Sequence, residues 1–263
     1  MEIRLDGRTA VVTGGSKGLG LAIAEEYAKS GADVTILARD QGTLNEAKAR
    51  IQAGAPGRKI AAISCDVSKA ADIRRTYDQI ISEFGKIDIF VNNAGQSTRG
   101  PSETITDEMW QADFDLKVFA AVRFCRLALP GMKNRRWGRI INVLNLAAKA
   151  PGPGTAPTAV MRAAGMAVTK VLAGEGAPYN VLVNALMTGL IVSDQWARRH
   201  QREAPEQPFE EFLADTAKKM ALPMGRLGTA EEFANMACFL ASEAASYISG
   251  TAINVDGAKS PVV

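Results

Sequence analysis

Short apolar runs alternate along this chain with longer stretches in which apolar residues recur at helical spacing. Residues 9–12 (Thr-Ala-Val-Val) read as a buried strand and 21–28 as a helix, followed by a strand at 33–38 and a helix at 44–51. A third strand at 59–65, a helix at 73–84 and a fourth strand at 87–91 continue the same rhythm. Strand, helix, strand in repetition predicts an α/β fold, because each parallel strand needs a crossover and the crossover helices cover both faces of the sheet.

The first junction carries chemistry. Between the first strand and the first helix stand Thr13-Gly14-Gly15-Ser16-Lys17-Gly18-Leu19-Gly20. Glycines there let backbone N–H groups approach a pyrophosphate at the positive end of a helix. Past the end of the second strand, Ala38 is followed by Arg39, where an acidic residue would hold the ribose hydroxyl of NAD. A guanidinium in that place grips the 2′-phosphate of NADP by paired N–H bonds, with Ser16 and Lys17 as helpers. The expected cofactor is therefore NADP, with NADPH preferred over NADH.

Composition narrows the partners. A length of 263 residues suits one domain, and no linker divides it, so 1–263 is expected to form a single dinucleotide-binding unit. With 31 basic and 28 acidic residues the net charge is +3, without a basic block, so neither nucleic acid nor membrane is expected as a partner. No apolar run is long enough to span a bilayer, and the opening residues 2–6 lack the apolar region of a signal peptide, which points to the cytoplasm. Cys65, Cys125 and Cys238 lie in apolar stretches and read as buried thiols, and His200 is the single histidine, so no metal site is expected.

Further motifs fall at matching intervals. Asp66-Val67 follows the third strand and Asn92-Asn93-Ala94-Gly95 the fourth, 138–143 reads as another strand, and 180–185 leads to Gly189. The tail runs from Gly225-Arg226-Leu227-Gly228 to Val255-Asp256-Gly257. Together with the glycine loop these resemble the short-chain dehydrogenase/reductase family over nearly the whole chain. The resemblance implies a Rossmann-type doubly wound parallel sheet of seven strands in the order 3-2-1-4-5-6-7. It implies cofactor contacts at Thr13, Gly14, Ser16, Lys17, Gly18, Leu19, Gly20, Arg39, Asp66, Val67, Asn93, Ala94, Gly95, Arg162, Gly189, Ile191 and Ser193. Asp66 and Val67 would meet the adenine, and Ile191 and Ser193 the nicotinamide carboxamide. Asn93 would line the groove or act as a buried post joining the central strands. Thr188 stands where the family usually has proline.

The resemblance fails at the catalytic set. The family's hydride transfer is usually assisted by Ser, Tyr and Lys, with a supporting Asn, yet none of Tyr27, Tyr77, Tyr179 and Tyr247 is followed four residues later by lysine. Matching the flanks puts Asn145 at the serine, Thr158 at the tyrosine, Arg162 at the lysine and Lys117 at the asparagine. Thr158 is a poor acid, Arg162 is a fixed cation able to donate to ribose hydroxyls, and Asn145 keeps a donor for a carbonyl. Lys117 is the member able to titrate. Three readings of it stay open: a proton donor, one of two cations with Arg162 that hold an acidic substrate group, or a side chain directed outward along its helix. Residues 193–223 correspond to the family's substrate lid, with Trp196, Phe209, Phe212 and Leu213 as an apolar roof and Arg198, Arg199, His200 and Arg202 as a basic run. His200 is a further candidate for the missing acid.

Long helices expected at 109–132 and 158–173 would pair in a homodimer or homotetramer. Two functions remain: an NADP(H)-dependent oxidoreductase acting on a small carbonyl, alcohol or enone with an atypical active site, or a non-redox protein that holds NADP as a sensor, scaffold, lyase, isomerase or cyclase.

Overall fold

A computed structural model describes residues 2–263, the side chain of Asp194 excepted. In chain order the strands are β1 (Thr9–Thr13), β2 (Asp33–Ala38), β3 (Ile60–Ser64), β4 (Ile89–Asn92), β5 (Arg99–Gly100), β6 (Gly138–Asn145), β7 (Ala156–Pro157), β8 (Val181–Thr188) and β9 (Ala252–Val255). The helices are α1 (Gly18–Lys29), α2 (Gln41–Gly54), α3 (Ala70–Phe84), α4 (Asp107–Phe114), α5 (Ala120–Arg135), α6 (Thr158–Gly176), α7 (Asp194–Glu203), α8 (Phe209–Lys219) and α9 (Ala230–Ala241). Seven strands form one parallel sheet in the order β3-β2-β1-β4-β6-β8-β9. Counted without the two-residue strands β5 and β7, which pair with each other, this is the order 3-2-1-4-5-6-7.

The sheet is buried on both faces, so its strands read as continuous apolar runs whose alternate residues serve different layers. Ala10 and Val12 of β1, Ile89 and Val91 of β4 and Ile141 of β6 pack toward α1, α2 and α9. Val11, Phe90 and Ile140 face the other way, toward α3 and α5, where Phe124 lies against Phe90 with ring centroids 4.8 Å apart. Cys65, Cys125 and Cys238 are all free and buried.

One expected helix is interrupted. The span 109–132 is divided between α4 and α5 by a π-helical turn, Asp115–Phe119, which inserts one residue into the helical spacing. Lys117 sits in that turn and is buried together with Val118.

The carboxyl ends of the central strands are tied by side chains. The Thr13 hydroxyl donates to the Val91 carbonyl at 3.2 Å and accepts from the N–H groups of Asn93 (2.9 Å) and Ala94 (3.0 Å). Asn93 Nδ2 donates back to the Thr13 carbonyl at 2.9 Å, and Asn92 Nδ2 reaches Asn142 Oδ1 on β6 at 2.8 Å. Thr13→Val is expected to leave these three backbone groups of the β4 end without their partner and to lower the unfolding free energy by about 3 kcal/mol. Urea denaturation of this variant beside Thr13→Ser, which keeps the hydroxyl, measures it.

Candidate active site

The glycine loop closes on itself. A Cβ added at Gly20 would lie 2.2 Å from the Gly14 carbonyl oxygen, so α1 begins in close contact with the loop only because residue 20 is glycine. Lys17, exposed at the start of α1, offers no side-chain cap to the helix, which leaves its first N–H groups free of side-chain partners. Thr13, expected among the cofactor contacts, is buried and its hydroxyl is committed to the β4 end, so it shapes the loop from beneath. Arg39 is exposed at the end of β2, and its guanidinium makes no hydrogen bond or ion pair among the described residues. Asp66 Oδ1 accepts from the N–H and hydroxyl of Ser68, while the Val67 side chain is taken up by the core, so only main chain of Val67 is left to meet an adenine.

The four substituted positions converge. Lys117 Nζ donates to Asp113 Oδ1, one helical turn before it, and to Thr158 Oγ1 at 2.9 Å, and neither end of the Lys117–Asp113 pair is open to solvent. The reading in which Lys117 points outward is therefore set aside. Burial lowers the Lys117 pKa below the ordinary lysine value, the carboxylate of Asp113 acts against that, and the charges of Arg162 and Arg99 push it down again. Thr158 opens α6, and its hydroxyl donates to the Thr98 carbonyl at 2.8 Å while accepting from the Thr98 N–H at 2.9 Å. Arg162, one turn further along α6, donates through Nη1 to the Val143 carbonyl at 2.5 Å. Burial brings its pKa down to about 10, partly countered by Asp113, so it remains a cation near neutrality. Gly95 makes room for it, since a Cβ there would lie 2.5 Å from Arg162 Nη2. With Lys117 committed to Asp113, the expectation that Lys117 and Arg162 form a free pair for an acidic group loses its basis.

A cleft of about 810 Å³ runs from the glycine loop over these residues. Its walls include Lys17, Asn93, Asn145, Thr158, Arg162 and Thr188. Asn145 Oδ1, Arg162 Nε and Thr188 Oγ1 are buried without a hydrogen-bond partner in the protein, as is Asp113 Oδ2 behind them. Polar atoms left so in a cleft await a polar ligand. Lys117 stands behind Thr158, against a cavity of about 20 Å³ with room for a single water. Gly189, Ile191 and Ser193 line the opposite wall. Gly189 answers a packing need as well, because a Cβ there would lie 2.5 Å from Asp256 Cα.

The expected apolar roof is reduced to one residue. Trp196 of α7 borders the cleft, whereas Phe209 and Phe212 pack on the His200 ring, each with centroids 5.2 Å away. His200 is buried, and its Nε2–H donates to the Gln207 carbonyl at 2.6 Å, so it joins α7 to α8 and is no candidate acid. Arg198, Arg199 and Arg202 of the basic run border the cleft.

The family model described as enoyl-(acyl carrier protein) reductase matches residues 14–258. D-beta-hydroxybutyrate dehydrogenase of Cupriavidus necator is 34% identical over 255 residues, covering 96% of this chain and 98% of its own. The chain belongs to the short-chain dehydrogenase/reductase family. Among solved structures, L-sorbose reductase from Gluconobacter frateurii, complexed with NADPH and L-sorbose, superimposes with a TM-score of 0.94 at 34% identity over 100% of both chains. An NADPH-bound short-chain oxidoreductase from Pseudomonas aeruginosa PAO1, containing an atypical catalytic center, gives 0.92 at 34% identity over 99% of this chain and 100% of that one.

Within this short-chain dehydrogenase/reductase, Asp113, the buried partner of Lys117, is the residue that matching to the family motif passes over, since no motif position falls on it. Its spacing of four residues before Lys117 on a helix was the available signal. Asp113→Asn is expected to lower stability by about 3 kcal/mol near neutral pH, the cost of breaking a buried pair. The deficit should shrink as pH rises. Lys117, its native pKa driven further below the unfolded value, then binds fewer protons folded than unfolded until the unfolded pKa is passed. Denaturation of Asp113→Asn and of Asp113→Asn/Lys117→Met across pH checks both points, the double variant recovering most of the loss.

Proposed function

We propose that this protein is an NADPH-dependent reductase of a small carbonyl or enone compound in which Lys117, acting through the Thr158 hydroxyl, protonates the substrate oxygen. The observation that carries the reading is the 2.9 Å bond from buried Lys117 Nζ to Thr158 Oγ1, a hydroxyl on the cleft wall.

The cofactor is NADP. The free Arg39 guanidinium and Lys17 would hold its 2′-phosphate, and the open N–H groups at the start of α1 its pyrophosphate. Arg162 Nε and the Asn145 Oδ1 oxygen, both without protein partners, would take the ribose and nicotinamide end. NADPH, when bound, supplies the hydride.

The protein's own part is the proton. As charge develops on the substrate oxygen, the Thr158 O–H turns from the Thr98 carbonyl to that oxygen and gives up its proton, while Lys117 replaces it from Nζ. Threonine need never persist as an alkoxide, which its weak acidity forbids. Lys117, then neutral beside Asp113, regains its proton from the cleft through the same Thr158 hydroxyl once the product has left. Asn145, at the end of β6, donates to the same oxygen and stabilises its charge. We assign the enzyme to the cytoplasm, where free cysteines stay reduced, and to a homodimer or homotetramer. An apolar cleft between α5 and α6 lined by Val122, Leu129, Val168 and Leu172, with Val171 exposed nearby, supports that assembly. No helix among the described residues is long and apolar enough to cross a membrane.

Lys117→Met and Thr158→Val are each expected to cut kcat by about 10²- to 10⁴-fold, with NADPH affinity preserved and Thr158→Ser largely active. Protonated Lys117 is the working form, so the rate should fall as pH rises through its lowered pKa, and Asp113→Asn should move that fall to lower pH. Loss of NADPH absorbance over a panel of ketones, aldehydes and enones measures all of this. NADPH binding with no turnover of any of them would support a non-redox role, and an undiminished Lys117→Met enzyme would remove Lys117 from the mechanism.

A further inference from the structure

The charges around the cleft are one-sided. Lys17, Arg99, Arg162, Arg198, Arg199 and Arg202 line it, and no carboxylate does so among the described residues. Two of these cations are partly neutralised from behind, since Arg199 and Arg202 share Glu203 at 2.7 and 2.8 Å. Arg162 is half-buried and bonded to the Val143 carbonyl. Lys17 belongs to the glycine loop and its phosphates. Arg99 has no such occupation: it is exposed and makes no hydrogen bond or ion pair among the described residues.

Its position is fixed by the fold. Arg99 begins β5, which pairs with β7 at Pro157, and its neighbour Thr98 clamps the Thr158 hydroxyl through both N–H and carbonyl. Arg99 therefore stands beside the proton donor, near enough for its charge to bear on Lys117. A bound pyrophosphate would lie at the start of α1 and a 2′-phosphate beside Arg39, both away from the β5–β7 pair. The cationic excess at the Arg99 end of the cleft is left for the other molecule that enters it.

We infer that the substrate carries an oxyanion, a carboxylate or a phosphate, close to its reacting carbonyl, held by the Arg99 fork, with Arg198 of α7 closing on it from the opposite wall. This rests on the reductase reading for the word substrate, and on the charge distribution for the anion. A guanidinium binds either anion by two parallel N–H bonds and so orients as well as attracts it, which a lysine does not do.

The test uses the NADP⁺-loaded protein, in which a ketone binds but is not reduced, and two matched pairs: acetoacetate with methyl acetoacetate, and dihydroxyacetone phosphate with dihydroxyacetone. Calorimetric titration is expected to show the charged member of at least one pair binding about tenfold or more tightly than its neutral partner, and the pair that discriminates names the anion. Arg99→Ala should erase that preference with NADP⁺ affinity retained, Arg99→Lys should keep part of it, and Arg198→Ala should weaken it. Equal binding of charged and neutral members, or no binding of either pair, overturns the inference. So does an Arg99→Ala variant whose loss falls on NADP⁺, which would give the arginine to the cofactor. Anion preference without NADPH consumption would leave the anion site standing and remove the reductase, while consumption at equal rates on charged and neutral compounds would do the reverse.

Discussion

Parallel strands end with their last N–H and carbonyl groups at one edge of the sheet, and the active cleft opens along that edge. The Thr13 hydroxyl and the Asn93 amide fasten β1 to the end of β4, and Asn92 fastens β4 to Asn142 of β6. The chain of bonds runs on into α6, where Asn142 Nδ2 donates to Thr169 Oγ1 at 2.8 Å. That last link sets the helix carrying Thr158 and Arg162 against the strand that carries Asn145. A loose edge would let the glycine loop and α6 move independently, and the proposed hydroxyl relay tolerates little such movement.

On this floor the protein holds a charge in an unusual place. A lysine with no solvent access is tolerated only with a partner, and Asp113 is one turn away on the same face. The π-helical turn lies where this pair is needed, since the extra residue swings the segment around Lys117 inward while α4 and α5 continue on either side. Helical distortion, buried pair and Thr158 contact form one unit. Replacing the lysine by an apolar residue would remove the need for Asp113, so its presence is better explained by chemistry than by stability.

Much of the fold could be read from the chain. Apolar runs separated by helical spacing gave the parallel sheet and both helical layers, because strands buried on both faces leave a plain apolar signature. The glycine loop and the Asn92-Asn93 pair were legible because backbone close approach and strand tying demand particular residues. Three features were not. Helical spacing marks Phe209 and Phe212 as one face but does not say what that face meets, and His200, not the cleft, lies opposite them. The π-helical turn leaves no mark in a pattern that tolerates one inserted residue. Arg99 owes its place to pairing between β5 and β7, two-residue strands far apart in sequence, and no local signal encodes such a contact.

The exchange of a lysine for Arg162 and of an asparagine for Lys117 then has a physical sense. An arginine stays cationic under burial, so at the first turns of α6 it supplies charge and hydrogen bonds without taking part in proton traffic. A lysine moves its pKa readily, and here it is placed where burial and two arginines press that value down while Asp113 holds it up. Under the proposed mechanism, a fixed charge facing the cofactor and the supply of the proton are thereby divided between two residues, Arg162 and Lys117. In that mechanism the division frees the donor position from needing an acidic hydroxyl of its own: Thr158 would have only to pass a proton between a titratable neighbour and the cleft. A phenol is dispensable where the acid stands one bond behind the hydroxyl.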